Sequence, residues 1–189
     1  MATLVLTLTV NNVQGKSTFF KQVNLSKRIF WSREALLDYR MIIFGTILKY
    51  IRAISECITI RKIPNQCQAA MSEVLDLDDD FVMYVHKIWN NELMEHINTI
   101  WKSEAAQQVF MDRHKLQHLF HGEAMQHYMN QFDNMKDPEW TPSIQDVLLC
   151  RTKTTGIVST ELELGNTKLE FVDVGGGRGE RRSKNALYN

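Results

Sequence analysis

Three short stretches of this chain carry the residue types that handle phosphate. Gly15-Lys16-Ser17-Thr18 sets bare backbone beside an ammonium and two hydroxyls. Arg151-Thr152-Lys153-Thr154-Thr155-Gly156-Ile157 offers two cations and three hydroxyls on a segment too polar for a core, and reads as a loop that meets an anion. The run Phe171-Val172-Asp173-Val174 then places an acid just ahead of Gly175-Gly176-Gly177, where no Cβ holds the backbone away from a ligand. Backbone N–H groups bind phosphate oxygens, and hydroxyl and carboxylate oxygens are hard ligands suited to Mg²⁺. A fixed cation stabilises the charge spread over a transferring phosphoryl group. The chemistry these residue types support is metal-assisted phosphate binding and phosphoryl transfer.

Positioning such groups takes a strand, loop and helix in that order, and a strand that ends beside them. Thr3 to Val10 alternates Leu4, Leu6, Leu8 and Val10 with Val5 and threonines, the pattern of a strand. Phe19 to Val23 continues from the lysine motif as a helix, which completes the order that a P-loop requires. In that arrangement the helix N-terminus cradles phosphate, the lysine neutralises the outer phosphates and the serine hydroxyl reaches Mg²⁺. Val158 to Leu164 and Lys168 to Val174 alternate apolar and polar residues around Gly165-Asn166, and so predict an antiparallel hairpin.

Between these segments the period becomes helical. Leu36, Tyr39, Ile43, Ile47, Tyr50 and Ile54 recur at steps of three or four from Arg33 onward, predicting one long amphipathic helix that Pro64-Asn65 interrupts. Shorter helices are predicted at Gln66 to Leu75, Phe81 to Trp89, Glu92 to Trp101, Ala105 to Leu116 and Glu123 to Met135, with Trp89 and Trp101 in a bundle core. Pro138 and Pro142 bracket a loop, and Ser143 to Leu148 leads back towards Arg151.

Composition narrows the possible partners. In 189 residues, 22 basic side chains balance 22 acidic ones, so no net field draws the chain to nucleic acid or to an anionic membrane. A hydrophobic fraction of 44% supports a packed core. Cys57, Cys67 and Cys150 are odd in number and lack metal-type spacing, which points to a reducing cytoplasm. The most apolar run, Met41 to Phe44, is far shorter than the ~20 residues of a membrane span.

Arg151 to Ile157, followed by Asp173-Val174-Gly175-Gly176 and then Glu180-Arg181-Arg182, closely resembles switch I and switch II of the heterotrimeric G-protein alpha subunits. The resemblance implies an α/β fold, in which a partial Ras-like P-loop GTPase domain (residues 1–31 and 149–189) is interrupted by an inserted all-helical domain (residues 32–148). It implies GTP or GDP and Mg²⁺ as cofactors, held by Gly15, Lys16, Ser17, Thr18, Arg151, Lys153, Thr154, Asp173, Gly175 and Gly176. Ser17 and Thr154 are then metal ligands, Asp173 holds the metal through water, and Arg151 is the catalytic cation. The implied partners are a beta-gamma dimer, on the segment with Arg178, Arg181, Arg182 and Lys184, together with a G-protein-coupled receptor and effectors.

The chain departs from that family at identifiable positions. Val10-Asn11-Asn12-Val13-Gln14-Gly15-Lys16-Ser17-Thr18 stands where the alpha subunits read Gly-Ala-Gly-Glu-Ser-Gly-Lys-Ser-Thr, so only the second half of that loop survives. Val13 replaces an acid that pairs with the switch I arginine in the family, and Gly177 replaces the glutamine that orients the attacking water. The guanine-reading Asn-Lys-x-Asp and Thr-Cys-Ala segments are not found through Asn189, and Ala2 stands where N-myristoylation needs glycine. The expectation is a truncated, hydrolytically impaired switch corresponding to the family's N-terminal half. The alternative is a nucleotide-independent module that binds G-protein partners through the helical domain and switch II.

Two other constellations are set aside. Asp76, Asp78 and Asp80 mimic the start of a calcium loop, but Phe81 occupies the glycine position and Lys87 the bidentate-glutamate position. His114, His118 and His121 share a helical spacing without the HExxH pattern or a nearby cysteine, and are expected to be ordinary histidines.

Overall fold

A computed structural model describes residues 2–8, 16–26, 31–115, 122–151, 157–164 and 167–174. The chain separates into two compact units, one comprising Met1–Ser32 with Arg151–Asn189 and the other Arg33–Cys150.

The first unit holds β1 (Ala2–Leu8), α1 (Lys16–Ser26), β2 (Ile157–Leu164) and β3 (Thr167–Val174). Its three-stranded sheet has the order β1-β3-β2. β1 runs parallel to β3 and β2 antiparallel to it. Pairing of Leu164 with Thr167 leaves a two-residue connection between the strands. Gly165 and Asn166 themselves lie outside the described residues, as do the last two positions of the strand predicted to reach Val10. Helix α1 packs on the sheet through Phe20 and Val23, which are buried against Phe171 and flanked by Leu169. Phe19 adds an edge contact to Phe171 with ring centroids 5.4 Å apart.

The second unit is all helical and is built on α2 (Arg33–Ile60), 28 residues long. Ile43, Ile47, Leu48, Ile51, Ile54 and Ile58 on this helix are fully buried. Around them pack α3 (Gln68–Leu75), α4 (Val85–Ile88), α5 (Asn91–Lys102), α6 (Glu104–Met111) and α7 (Gly122–Asn130). Gly45 lets the Phe81–Tyr84 turn approach α2, since a Cβ there would meet Val82 Cγ1 at 3.2 Å. Lys62 ends α2 in the left-handed region at φ 53. Lys62 N–H donates to Thr59 O and Ile63 N–H to Ile58 O, the paired bonds of a Schellman cap in which lysine takes glycine's usual place.

Local chemistry sets the remaining boundaries. Asn90 caps α5 by accepting from Leu93 N–H at 2.8 Å. Ser103 ends α5 by donating to Ile100 O and starts α6 by accepting from Ala106 N–H. The predicted helix from Phe81 to Trp89 is a 3₁₀ turn followed by α4. The helix predicted from Ala105 stops at Met111, and a 3₁₀ turn covers Arg113–Lys115. The helix predicted over Glu123 to Met135 breaks at Gln131, and a 3₁₀ turn follows at Phe132–Lys136. Gln131 turns its amide towards Asp146, while Asp133 and Asn134 are weak helix formers that favour the shorter turn.

The acidic run resembling a calcium loop is used for packing. Asp79 pairs with Arg52 of α2 at 2.9 Å, and Asp78 accepts from the Tyr84 hydroxyl. His114 is exposed, and His118 and His121 lie outside the described residues. No His, Cys, Asp and Glu cluster among the described residues is arranged to hold a metal.

Candidate functional site

The strand registers determine which segments meet. Leu8, the last residue of β1, pairs with Asp173, and Ile157, the first residue of β2, pairs with Val174. The exits of β1 and β3 and the entry to β2 therefore lie side by side at one end of the sheet. Residues 9–15, the residues up to 156, and those from 175 onward all attach there. The carboxyl ends of parallel strands are where ligands bind in such sheets, because the loops leaving them converge.

Helix α1 adds donors to that description. It begins at Lys16, so Lys16, Ser17 and the half-buried Thr18 lie in its first turn. Backbone N–H groups in a first helical turn have no intrahelical partner and face an anion favourably. Asp173 occupies the penultimate position of β3. Arg151 is exposed and directly follows Cys150, which caps the C-terminus of α8 (Ile144–Leu149). Gly15, Lys153, Thr154, Gly175, Gly176 and Gly177 lie outside the described residues. Of the predicted set, Asp173 pairs with Leu8 at the exit of β1, and Lys16 to Thr18 form the first turn of α1.

Sequence reading assigned no helix to Ser143 through Leu148, yet α8 forms the approach to Arg151. Its signal was the Ser143-x-x-Asp146 spacing, which makes a reciprocal capping box. Asp146 is fully buried. Its neighbour Tyr128 is also buried, and desolvation, followed by the nearby Cys150 and Asp146, pushes the phenol's pKa well above its ordinary value.

No helix among the described residues is long and apolar enough to cross a membrane. The profile of the G-protein alpha subunit family matches residues 4–189. The guanine nucleotide-binding protein alpha-3 subunit of Caenorhabditis elegans is 29% identical over 174 residues, covering 89% of this chain and 47% of that protein. A guanine nucleotide-binding protein subunit alpha of Cochliobolus heterostrophus is 30% identical over 168 residues, with 89% and 47% covered. The human guanine nucleotide-binding protein subunit alpha-13 is 27% identical over 175 residues, with 89% and 46% covered. The chain spans about half the length of these curated relatives. With the phosphate-type segments attached at one sheet end and a family match over nearly every residue, this chain belongs to the G-protein alpha subunit family.

Proposed function

We propose that this chain is a guanine nucleotide-binding switch of the alpha-subunit type, acting in G-protein-coupled receptor signalling and impaired in hydrolysis. The observation that carries this reading is the register pairing Leu8 with Asp173 and Ile157 with Val174, which attaches all three phosphate-type segments to one end of the sheet. Residues 1–31 and 149–189 form the nucleotide-binding part and residues 32–148 the helical domain. Gly15, Gly175 and Gly176 offer backbone N–H groups, Lys16 and Lys153 offer countercharge, and Thr18 supports the loop. Ser17 and Thr154 supply hydroxyl ligands and Asp173 a carboxylate, a hard-oxygen set that fits Mg²⁺. The metal, when bound, supplies countercharge to the β- and γ-phosphates. Arg151 stabilises the negative charge that develops on the γ-phosphoryl group.

Gly177 sets the rate. Glycine has no side chain to orient the attacking water, and a missing positioned group of this kind costs on the order of 100-fold or more. The protein therefore stays biased towards its triphosphate state. The segment from Arg178 to Lys184 receives a beta-gamma dimer, and the protein works in the cytoplasm with a receptor and effectors as partners. Single-turnover GTP hydrolysis tests this. The parent is slow, Gly177→Gln accelerates it by about 100-fold, and Arg151→Ala removes that gain. A parent already as fast as Gly177→Gln overturns the assignment of Gly177. A chain that binds beta-gamma dimer but no nucleotide supports instead a nucleotide-independent interaction module, a reading favoured by Val10 and Gly177.

A further inference from the structure

Helix α8 has six residues, too few to hold its shape alone, yet it delivers the chain to Arg151. A single buried carboxylate anchors it. Asp146 is 0% exposed. Its Oδ2 accepts from the Ser143 backbone N–H and from Ser143 Oγ, both at 2.7 Å. Its Oδ1 accepts from His127 Nε2 at 2.7 Å and from the Gln131 amide Nε2. Its backbone oxygen accepts from the Tyr128 hydroxyl at 3.1 Å and from Cys150 N–H at 2.9 Å.

Two side chains share Oδ1. Gln131 Nε2 lies 3.1 Å from His127 Nε2 while both point at the same carboxylate oxygen. A carboxylate oxygen only accepts, so the His127 contact is a hydrogen bond when Nε2 bears a proton. Among the described residues no lysine or arginine is paired with Asp146, and its contact with His127 is ionic only when the imidazole is protonated.

A buried carboxylate without a permanent cation is a poor device for stability alone, since an apolar side chain would join α7 to α8 without the desolvation penalty. What hydrogen bonds add is direction. Both Asp146 oxygens are held, one from the N-cap of α8 and the other from α7 and the residue after it. The bonds from His127, Tyr128 and Gln131 cross to Asp146 from α7 and the residue after it, and movement of α8 against α7 strains them.

We infer that Asp146 is a positioning residue for Arg151, fixing through Ser143, His127 and Gln131 the point from which the arginine leaves α8. This rests on the reading of Arg151 as the transition-state cation. Asp146 acts through Arg151 alone and touches neither nucleotide nor metal.

The test is a double-mutant cycle in the full chain carrying Gly177→Gln, read by single-turnover GTP hydrolysis, GTP affinity and far-UV circular dichroism. Asp146→Asn lowers the hydrolysis rate about 10- to 100-fold, the scale of a misplaced catalytic group, with GTP affinity and helicity unchanged. In the Arg151→Ala background the same change has no further effect. Gln131→Leu, which removes one donor from the half-buried edge, gives a smaller loss of the same pattern, and Ser143→Thr, which keeps the hydroxyl, stays near the parent rate. Equal losses with and without Arg151 overturn the positioning role and leave Asp146 purely structural. An Asp146→Asn chain that hydrolyses normally while Arg151→Ala slows the reaction overturns it as well, with the functional reading intact. An Arg151→Ala chain as fast as its parent, or a parent that binds no GTP, overturns the functional reading and the positioning role together.

Discussion

Truncating Phe44 should destabilise the helical unit by about 3 kcal/mol, and the structure allows that figure to be assembled. Phe44 is 1% exposed. Its ring stacks on Trp89 with centroids 3.9 Å apart and planes 5° from parallel, and it lies 5.9 Å from Trp140. The Arg40 guanidinium sits 5.3 Å from the centroid. Phe44→Ala removes the transfer energy of the ring and leaves a cavity, together about 3–5 kcal/mol, to which aromatic pairing contributes about 0.5–1.5 kcal/mol. One effect opposes this. Trp89 Nε1 and Arg40 Nε are buried without hydrogen-bond partners among the described residues, and water admitted to the cavity satisfies one of them, recovering about 1 kcal/mol. Urea unfolding of the full chain, followed by tryptophan fluorescence, reads the loss as a midpoint lowered by about 1–2 M. Phe19→Ala, on α1 at 40% exposure, serves as the control and leaves the helical transition in place. A loss below about 1 kcal/mol, or an equal loss from Phe19→Ala, would mean that the Phe44 ring is not a main support of the helical core.

Other sites give sharper local tests. Burial pushes the Tyr50 phenol up to about 12, against a smaller opposing pull from Arg113, and its hydroxyl has no hydrogen-bond partner among the described residues. The folded chain keeps that proton above the ordinary tyrosine value of about 10, where the unfolded chain releases it. Tyr50's contribution is thus fully present below pH ~10 and is lost as pH rises towards about 12. Tyr50→Phe should raise stability by about 1 kcal/mol at neutral pH and soften the alkaline loss in unfolding curves taken from pH ~8 to ~12, while Tyr128 keeps its own share. Lys62→Gly should stabilise α2 by about 1 kcal/mol, because lysine occupies a left-handed position there; thermal melts that show a loss would mean the lysine side chain contributes more than its backbone strain costs.

The parts legible in the sequence were those with a repeating signal. The apolar steps from Leu36 to Ile54 are long enough to average out local exceptions, and α2 spans them all. The alternation on either side of Gly165-Asn166 led directly to the antiparallel pairing of β2 with β3. Helix α8 was missed because six residues cannot show a period, and only the Ser143 and Asp146 caps announced it. The helix expected to continue through Gln131 broke because a partner distant in sequence, Asp146, captures that side chain. No local pattern states that β1 pairs in parallel with β3, since that contact joins residues more than 150 positions apart, as in Leu8 with Asp173. The candidate site was therefore legible as residue types, while the convergence of its segments on one sheet end came from pairing that only the fold supplies.

If the segments attached to that end of the sheet hold a nucleoside triphosphate, they do so with Mg²⁺. Equilibrium binding of fluorescent GTP to the full chain, titrated with Mg²⁺ and repeated with Lys16→Ala, tests it most directly. Saturable binding should strengthen with Mg²⁺ and weaken at least about 10-fold when the lysine's countercharge is removed. Absence of binding at every Mg²⁺ concentration, or binding equally tight in Lys16→Ala, would contradict it.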